Sequence, residues 1–298
     1  MSRVRKPAVV CNPAAVEDIE QLAKEILARC SALGAADPLW FETTPEDPGG
    51  GQARQALAAG ADLVLVCGGD GTVAAGAGVL AGTDVAMALV PVGTGNLLAR
   101  NVGVPLDLGP ALDVAFGADR RCLDVLESDD HRFLVMAGLG FDAALIRDTD
   151  DKAKARLGWV AYLGGAARAV RRTPAASYTI TVDDGVALHR RGVGVLIGNV
   201  GRLQAGLRAL PDAKPDDGVL DVGVLEPRTW HDWPMLVLRL LAGRPDSGPQ
   251  AEIFRGRRVE ISCDQQVPLE YDGDYVGETA ALNVHVLAGA LTLCAPPP

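Results

Sequence analysis

Two apolar runs constrain this chain most, because each ends in a glycine loop and then passes into a helix-like stretch. Residues 63–67 lead into Gly68-Gly69-Asp70-Gly71-Thr72, and residues 85–91 lead into Val92-Gly93-Thr94-Gly95-Asn96. Runs that are apolar throughout, rather than alternating, suit strands buried on both faces. Ahead of them, 8–11 is a short apolar run stopped by Asn12-Pro13. Within 16–33, Ile19, Leu22, Ala23, Ile26 and Leu27 share one helical face. Residues 39–42 read as a strand and 52–59 as a helix. Residues 72–80, 97–101 and 112–116 read as further helices, although Gly76 and Gly78 weaken the first of them. A β-α-β-α order calls for a parallel sheet with helices on both faces, whose ligands bind at the carboxyl ends of the strands.

The second half reads differently. Strands are expected at 122–127, 133–137, 178–182, 193–197, 219–225, 258–263, 282–287 and 291–294. Turn signals such as Asp184-Gly185, Asp217-Gly218 and Asp272-Gly273 lie between them. That pattern predicts a mainly antiparallel second domain, a β-sandwich. Helical stretches are expected at 150–172 and 229–241. The division is therefore 1–125 and 126–298, with the last strand free to return to the first domain. At 298 residues the chain has room for two ordinary domains.

Charge and composition narrow the function. A net charge of −10 and an aromatic content of 4% argue against a general nucleic-acid binder, which needs a basic footprint and stacking platforms. The six cysteines are scattered, with no Cys-x-x-Cys pair, which argues against a zinc site or a disulfide framework. The four His residues show neither triad nor ligand spacing. The N-terminal apolar run is too short for a signal peptide, and no stretch reaches the ~20 apolar residues of a membrane span. The nearest, 235–241, is interrupted by Arg239. The expected location is the cytoplasm.

The chemistry concentrates in the two glycine loops. Glycines let backbone N–H groups approach phosphate oxygens, and a helix N-terminus favours negative charge. Asp70 would repel phosphate unless it holds Mg²⁺, or water on Mg²⁺, beside it; otherwise it is the cap of an ordinary tight turn. Asn96 fits both a ligand contact and a helix N-cap. No Walker A pattern occurs, so a P-loop NTPase is not indicated.

Together these loops resemble the lipid kinase family that contains diacylglycerol kinases, sphingosine kinases and the bacterial lipid kinases. Weaker echoes follow in the family's order: Asn12-Pro13, Thr44 with Gly51-Gln52-Ala53, Gly138-Leu139-Gly140-Phe141-Asp142, Gly158-Trp159, Gly198-Asn199, Pro211-Asp212-Ala213, Asp216-Asp217-Gly218 and Asp272-Gly273-Asp274. The resemblance implies an NAD-kinase-like α/β domain and a β-sandwich domain flanking an active-site cleft, with ATP-dependent phosphorylation of a lipid hydroxyl. It implies ATP contacts at Asn12, Thr44, Gly68, Gly69, Asp70, Gly71, Thr72, Thr94 and Asn96. It places Asp70 in the Mg²⁺ network and Asp124 near the acceptor lipid. It also implies a structural metal at Asp217 with the carbonyls of Lys214 and Val219, although Asp216-Asp217-Gly218 also reads as a plain hairpin turn. Asp274 stands where the family carries a Glu as general base, one methylene shorter; a plain Asp-Gly hairpin with no chemistry is the other reading of that turn.

Other departures bear on rate. Ala14-Ala15 follows Asn12-Pro13 where a Ser-Gly is common, Val73-Ala74-Ala75 stands where many members carry Asn-Glu, and Leu97 stands where many carry Asp. An NAD-kinase-like enzyme with a soluble substrate, or a nucleotide- or lipid-binding protein with weakened catalysis, are the alternatives. Between 152 and 172 six basic residues flank Trp159, Val160, Tyr162 and Leu163, a stretch suited either to anionic headgroups or to packing on the sheet. An exposed edge strand could pair two copies into a homodimer, but no strand is singled out.

Overall fold

The structure is a computed structural model that describes residues 4–129, 131–141, 143–144, 175–203, 207–227, 229 and 232–297. The helix expected at 150–172, with its basic residues, and the echoes at Asp142 and Gly158-Trp159 lie outside the described residues. The chain divides into two compact units, 1–125 with 288–298, and 126–287.

The first unit is built on β1 (Pro7–Cys11), α1 (Ile19–Leu33), β2 (Leu39–Glu42), α2 (Gly50–Ala58), β3 (Leu63–Gly68), α3 (Asp70–Leu80), β4 (Ala86–Pro91), α4 (Leu97–Val102) and α5 (Leu108–Phe116). Its strands are parallel in the order β2-β1-β3-β4. β1, β3 and β4 are buried at every position, which is why their sequences do not alternate. Val9, Cys11, Leu63, Leu65 and Cys67 pack with Leu22, Ile26 and Cys30 of α1 and Leu112 and Ala115 of α5. On α3, a Cβ at Gly76 would come within 3.2 Å of the Val66 side chain, so a residue that weakens the helix lets it lie close on the sheet. α1 opens on Asp18, whose carboxylate accepts the N–H of Gln21 at 2.8 Å, and closes on Gly34 in the left-handed region.

β5 (Arg121–Ser128) leaves this unit and enters the second, which carries β6 (His131–Phe133), β7 (Met136–Gly140), β8 (Ala176–Val182), β9 (Leu188–Gly192), β10 (Gly194–Gly198), β11 (Leu220–Leu225), α6 (Asp232–Ala242), β12 (Ala251–Gly256), β13 (Arg258–Tyr271) and β14 (Asp274–Leu293). The pairing is antiparallel through β12-β11-β10-β7-β13. β13 changes partner along its length, from β8 at Val259–Cys263 to β7 at Leu269–Tyr271, with irregularities at 262–267 and 269–270. Such bulges let one strand serve two layers of a sandwich. Phe133, Leu139, Tyr178, Ile180, Val195, Ile197, Val222 and Val259 are among its core.

Two expectations are corrected, and two strands were not foreseen. The run 133–137 is two strands, because the amides of Leu134, Val135 and Met136 bind the carboxylate of Asp272. β9 and β12 had no sequence signal strong enough to be read. The stretches 282–287 and 291–294 belong to one strand, β14, whose residues to His285 pair with β13 and whose Leu293 lies parallel to Met87 of β4 in the first unit. There the returning segment is fixed by the Cys294 N–H to Met87 O, the Gly82 N–H to Ala290 O, and the Gly289 N–H to Oδ1 of Asp124.

Candidate active site

The order β2-β1-β3-β4 reverses direction between β1 and β3, and a crevice at the carboxyl ends of the strands is where such sheets take ligands. Asn12 lies at that point. Its N–H donates to Cys67 O at 2.8 Å and its side-chain oxygen accepts the N–H of Ala14. The register pairs Gly68 with Pro91, so the two glycine loops leave neighbouring strand ends side by side.

The loops touch through their glycines. A Cβ on Gly93 would stand 2.5 Å from Gly69 Cα, and only a residue without one allows this approach. Asp70 laces the loops together by accepting the N–H of Leu97 at 2.7 Å, thereby capping α4 across the loop boundary. Burial pushes its carboxyl above its ordinary value, against amide bonds from Leu97 and Asn96 that favour the charged form. A carboxylate held in that state gains from any cation that arrives beside it.

Asn96 takes φ 49° and is buried. Its amide makes no cap bond to its own helix; it accepts the N–H of Gly93 and donates to Gly93 O, bracing the loop from within. Thr72 is buried beneath the first loop, where a Cβ on Gly68 would strike it at 2.5 Å. Thr94 is exposed at the second loop. Thr44 follows β2; its hydroxyl accepts the N–H of Asp47.

Sequence reasoning missed two residues here. Asp47 caps α2 by accepting the amides of Gly49 and Gly51, and the Gly51 amide above all holds its carboxyl below the ordinary range. The Asp three to four residues ahead of a helix start was its signal. Arg100 donates from Nε to Gly95 O at 2.9 Å, which sets a guanidinium beside the second loop.

The remaining expected residues lie elsewhere. Asp124 on β5 is 2% exposed and accepts the Gly289 amide. Asp217, in the second unit, accepts the N–H of Val219 and pairs with Arg255 at 2.5 Å. Arg255 also reaches the buried Asp221 at 3.2 Å. Among the described residues no three or more His, Cys, Asp or Glu side chains are gathered as a metal would need. At the turn with Lys214 and Val219, Asp217 is engaged by the Arg255 guanidinium, with Asp216 beside it in sequence.

Asp274 opens β14 in the same unit. It stands opposite Tyr271 across a two-residue hairpin whose Asp272 and Gly273 have φ 49° and 92°, the geometry of a type I′ turn. The turn is fixed at both corners. Buried Glu270 accepts the Gly273 N–H at 2.7 Å, and Asp272 takes the three amides of 134–136. Asp274, Tyr275 and Val276 are exposed beside it.

A parallel α/β unit with paired glycine loops, together with an antiparallel β-sandwich unit, defines an NAD-kinase-like architecture. The chain belongs to the YegS-like lipid kinase family. Residues 6–128 match the diacylglycerol kinase catalytic domain, and residues 135–295 match the YegS C-terminal NAD kinase beta sandwich-like domain. A protein of Pseudomonas syringae pv. tomato named "Probable lipid kinase YegS-like" is 31% identical over 260 residues, 82% of each chain. A Pseudomonas aeruginosa protein of the same name is 30% identical, over 82% of this chain and 83% of its own. Among solved structures, a diacylglycerol kinase from Bacillus anthracis superposes with a TM-score of 0.80 at 23% identity, covering 100% of this chain and 99% of its own. An NAD kinase from Archaeoglobus fulgidus in complex with ATP shares the fold at a TM-score of 0.55 and 13% identity, over 97% and 92%.

Proposed function

We propose that this lipid kinase is of the diacylglycerol type and transfers the γ-phosphate of ATP to a lipid hydroxyl. The observation that carries the nucleotide half is the backbone contact of Gly69 with Gly93, laced by Asp70. It brings the two glycine loops together at the start of α3, where a helix N-terminus favours an anion. The acceptor class rests on the match of 6–128 to the diacylglycerol kinase catalytic domain.

In this reading the amides of Gly68, Gly69 and Gly71 hold the polyphosphate, with Thr94 donating from the loop tip. Asn12 and Thr44 contact the rest of the nucleotide from the neighbouring strand ends. Thr72 and Asn96 act through the shape of the loops they brace. Arg100 adds positive charge at the phosphates. Asp70 is the side chain that would hold Mg²⁺, directly or through water, and the ion would neutralise charge on the β- and γ-phosphates. Asp124 serves the acceptor end by fixing the segment at Gly289. Asp274 takes the proton from the lipid hydroxyl as that oxygen attacks phosphorus in line. Its turn is rigid, so the carboxylate's reach is set by its own length.

The test is transfer from [γ-³²P]ATP into a lipid panel in mixed micelles, with NAD as a soluble control. A labelled diacylglycerol-type product is expected, with Asp274→Asn lower by roughly 10²–10⁴-fold and Asp274→Glu at least as fast as wild type. Label in NAD alone would assign the chain to soluble-substrate chemistry. Nucleotide binding with no product in any lipid would make it a binding protein.

A further inference from the structure

α6 is built inside out. Its polar residues face the protein. Asp232 accepts the N–H and hydroxyl of Thr229 and the amide of Gln250, and Arg239 donates to the same Gln250. Leu236 is buried at 1% exposure, and Trp233 packs on Phe141 with ring centroids 4.5 Å apart. The outward residues are apolar instead. Met235, Val237, Leu238 and Leu241 are 46%, 41%, 61% and 53% exposed, and Pro234 beside them is exposed too. They recur at the three- and four-residue spacing of one helical face. Elsewhere among the described residues, large exposed apolar side chains are single or in adjacent pairs. A contiguous face of this kind on a water-exposed helix marks a contact surface.

Guanidinium groups rim one end of that face. The Arg208 N–H donates to Leu240 O and the Arg244 N–H to Arg239 O, which fixes both residues at the C-terminal end of the helix, and both side chains are exposed. Arg202 pairs with Arg208 in a β-bridge and is exposed as well. In a chain of net charge −10 this is a local reversal of sign. Aliphatic chains without aromatic anchors, edged by arginines, complement an anionic bilayer surface better than a protein hot spot.

We infer that the outward face of α6, with the Arg208 and Arg244 rim, docks the enzyme on anionic lipid bilayers. The inference rests on the lipid-kinase reading for its purpose, though not for its geometry. The helix would lie in the interfacial plane, with Leu238 and Leu241 in the acyl boundary and the arginines at the headgroups.

The test is flotation of the full chain with vesicles of phosphatidylcholine and phosphatidylglycerol at about 3:1, against pure phosphatidylcholine. Wild type is expected to float with the mixed vesicles. Leu238→Ser with Leu241→Ser should lower partitioning by roughly tenfold or more on both compositions. Arg208→Glu with Arg244→Glu should lower it on the anionic vesicles alone. Circular dichroism melts should match wild type, because all four positions are exposed. Absence of wild-type flotation, or variants that float like wild type, would overturn the inference. So would an apolar variant that dissociates a dimer in analytical ultracentrifugation without changing flotation, since a second copy would then cover the face. Transfer to a short-chain diacylglycerol dispersed as monomers keeps the two readings apart. All variants should retain it, and its absence from wild type would sink the kinase reading while leaving flotation to decide the docking.

Discussion

Gly93 shows how one missing carbon can decide a site. A Cβ there would overlap Gly69 Cα at 2.5 Å and press on the Asn96 amide, so Gly93→Ala must part the loops. We expect ATP affinity to fall at least about tenfold and stability by about 1–3 kcal/mol, read by calorimetry and thermal melts. Asp221 offers a pH-dependent test. Burial raises its carboxyl to about 6 against the attraction of Arg255, while Asp217 and Asp212 push the same way as burial. A carboxyl raised on folding contributes stability at pH values below its unfolded pKa, and that contribution disappears as pH climbs through about 6. Asp221→Asn removes this dependence. Melts at pH 5 and 7.5 should show the variant gaining on wild type as pH rises, by about 1–3 kcal/mol. Contacts force glycine at Gly68 and Gly93, and the glycine loops were legible as strand-to-helix turns. The roles of Asp70, Asn96 and Asp124 were not, since each binds a backbone amide remote in sequence or hidden inside its loop, and amides carry no signature in a sequence.

At the scale of elements, Asp272 decides where two strands of the sandwich end and begin. Its carboxylate replaces strand partners for three successive amides and divides an apolar run into β6 and β7. Asp272→Ala should cost about 2–4 kcal/mol in urea unfolding, since it strands buried donors. It should also lower transfer more than nucleotide binding, because the turn it holds carries Asp274. The parallel strands were read almost to the residue, since full burial leaves an unbroken apolar run. Antiparallel ones were read less well. β9, Leu-His-Arg-Arg-Gly, has one paired neighbour and a charged open face, so its sequence resembles a loop. β14 looked like two strands because its middle alternates with exposed and small residues.

For the molecule as a whole, the first unit is not continuous in sequence. Leu291, Leu293, Cys294 and Ala295 are all buried in it and arrive after the entire second unit. A fragment of residues 1–125 should therefore be insoluble or molten, whereas the same fragment joined to 288–298 by a flexible linker should melt cooperatively and bind ATP. Comparing the two by thermal melt and nucleotide titration checks this. The α/β-then-sandwich order was readable from the change in hydrophobic periodicity. The return of β14 was open to suspicion, but its anchors, Asp124 and the Met87 carbonyl, emerge only from the packed sheet.

That return has a consequence for how the protein is made. A ribosome that has finished the glycine loops has on the order of ten to forty seconds of synthesis left before the strand that lies beside β4 is made. During that interval the edge of β4 is unsheathed and the glycine loop that follows it is unsupported on that side. A nascent chain is thus exposed to chaperones and to edge pairing for most of its synthesis. A chain truncated before residue 288 keeps both glycine loops and loses the segment that lies beside β4.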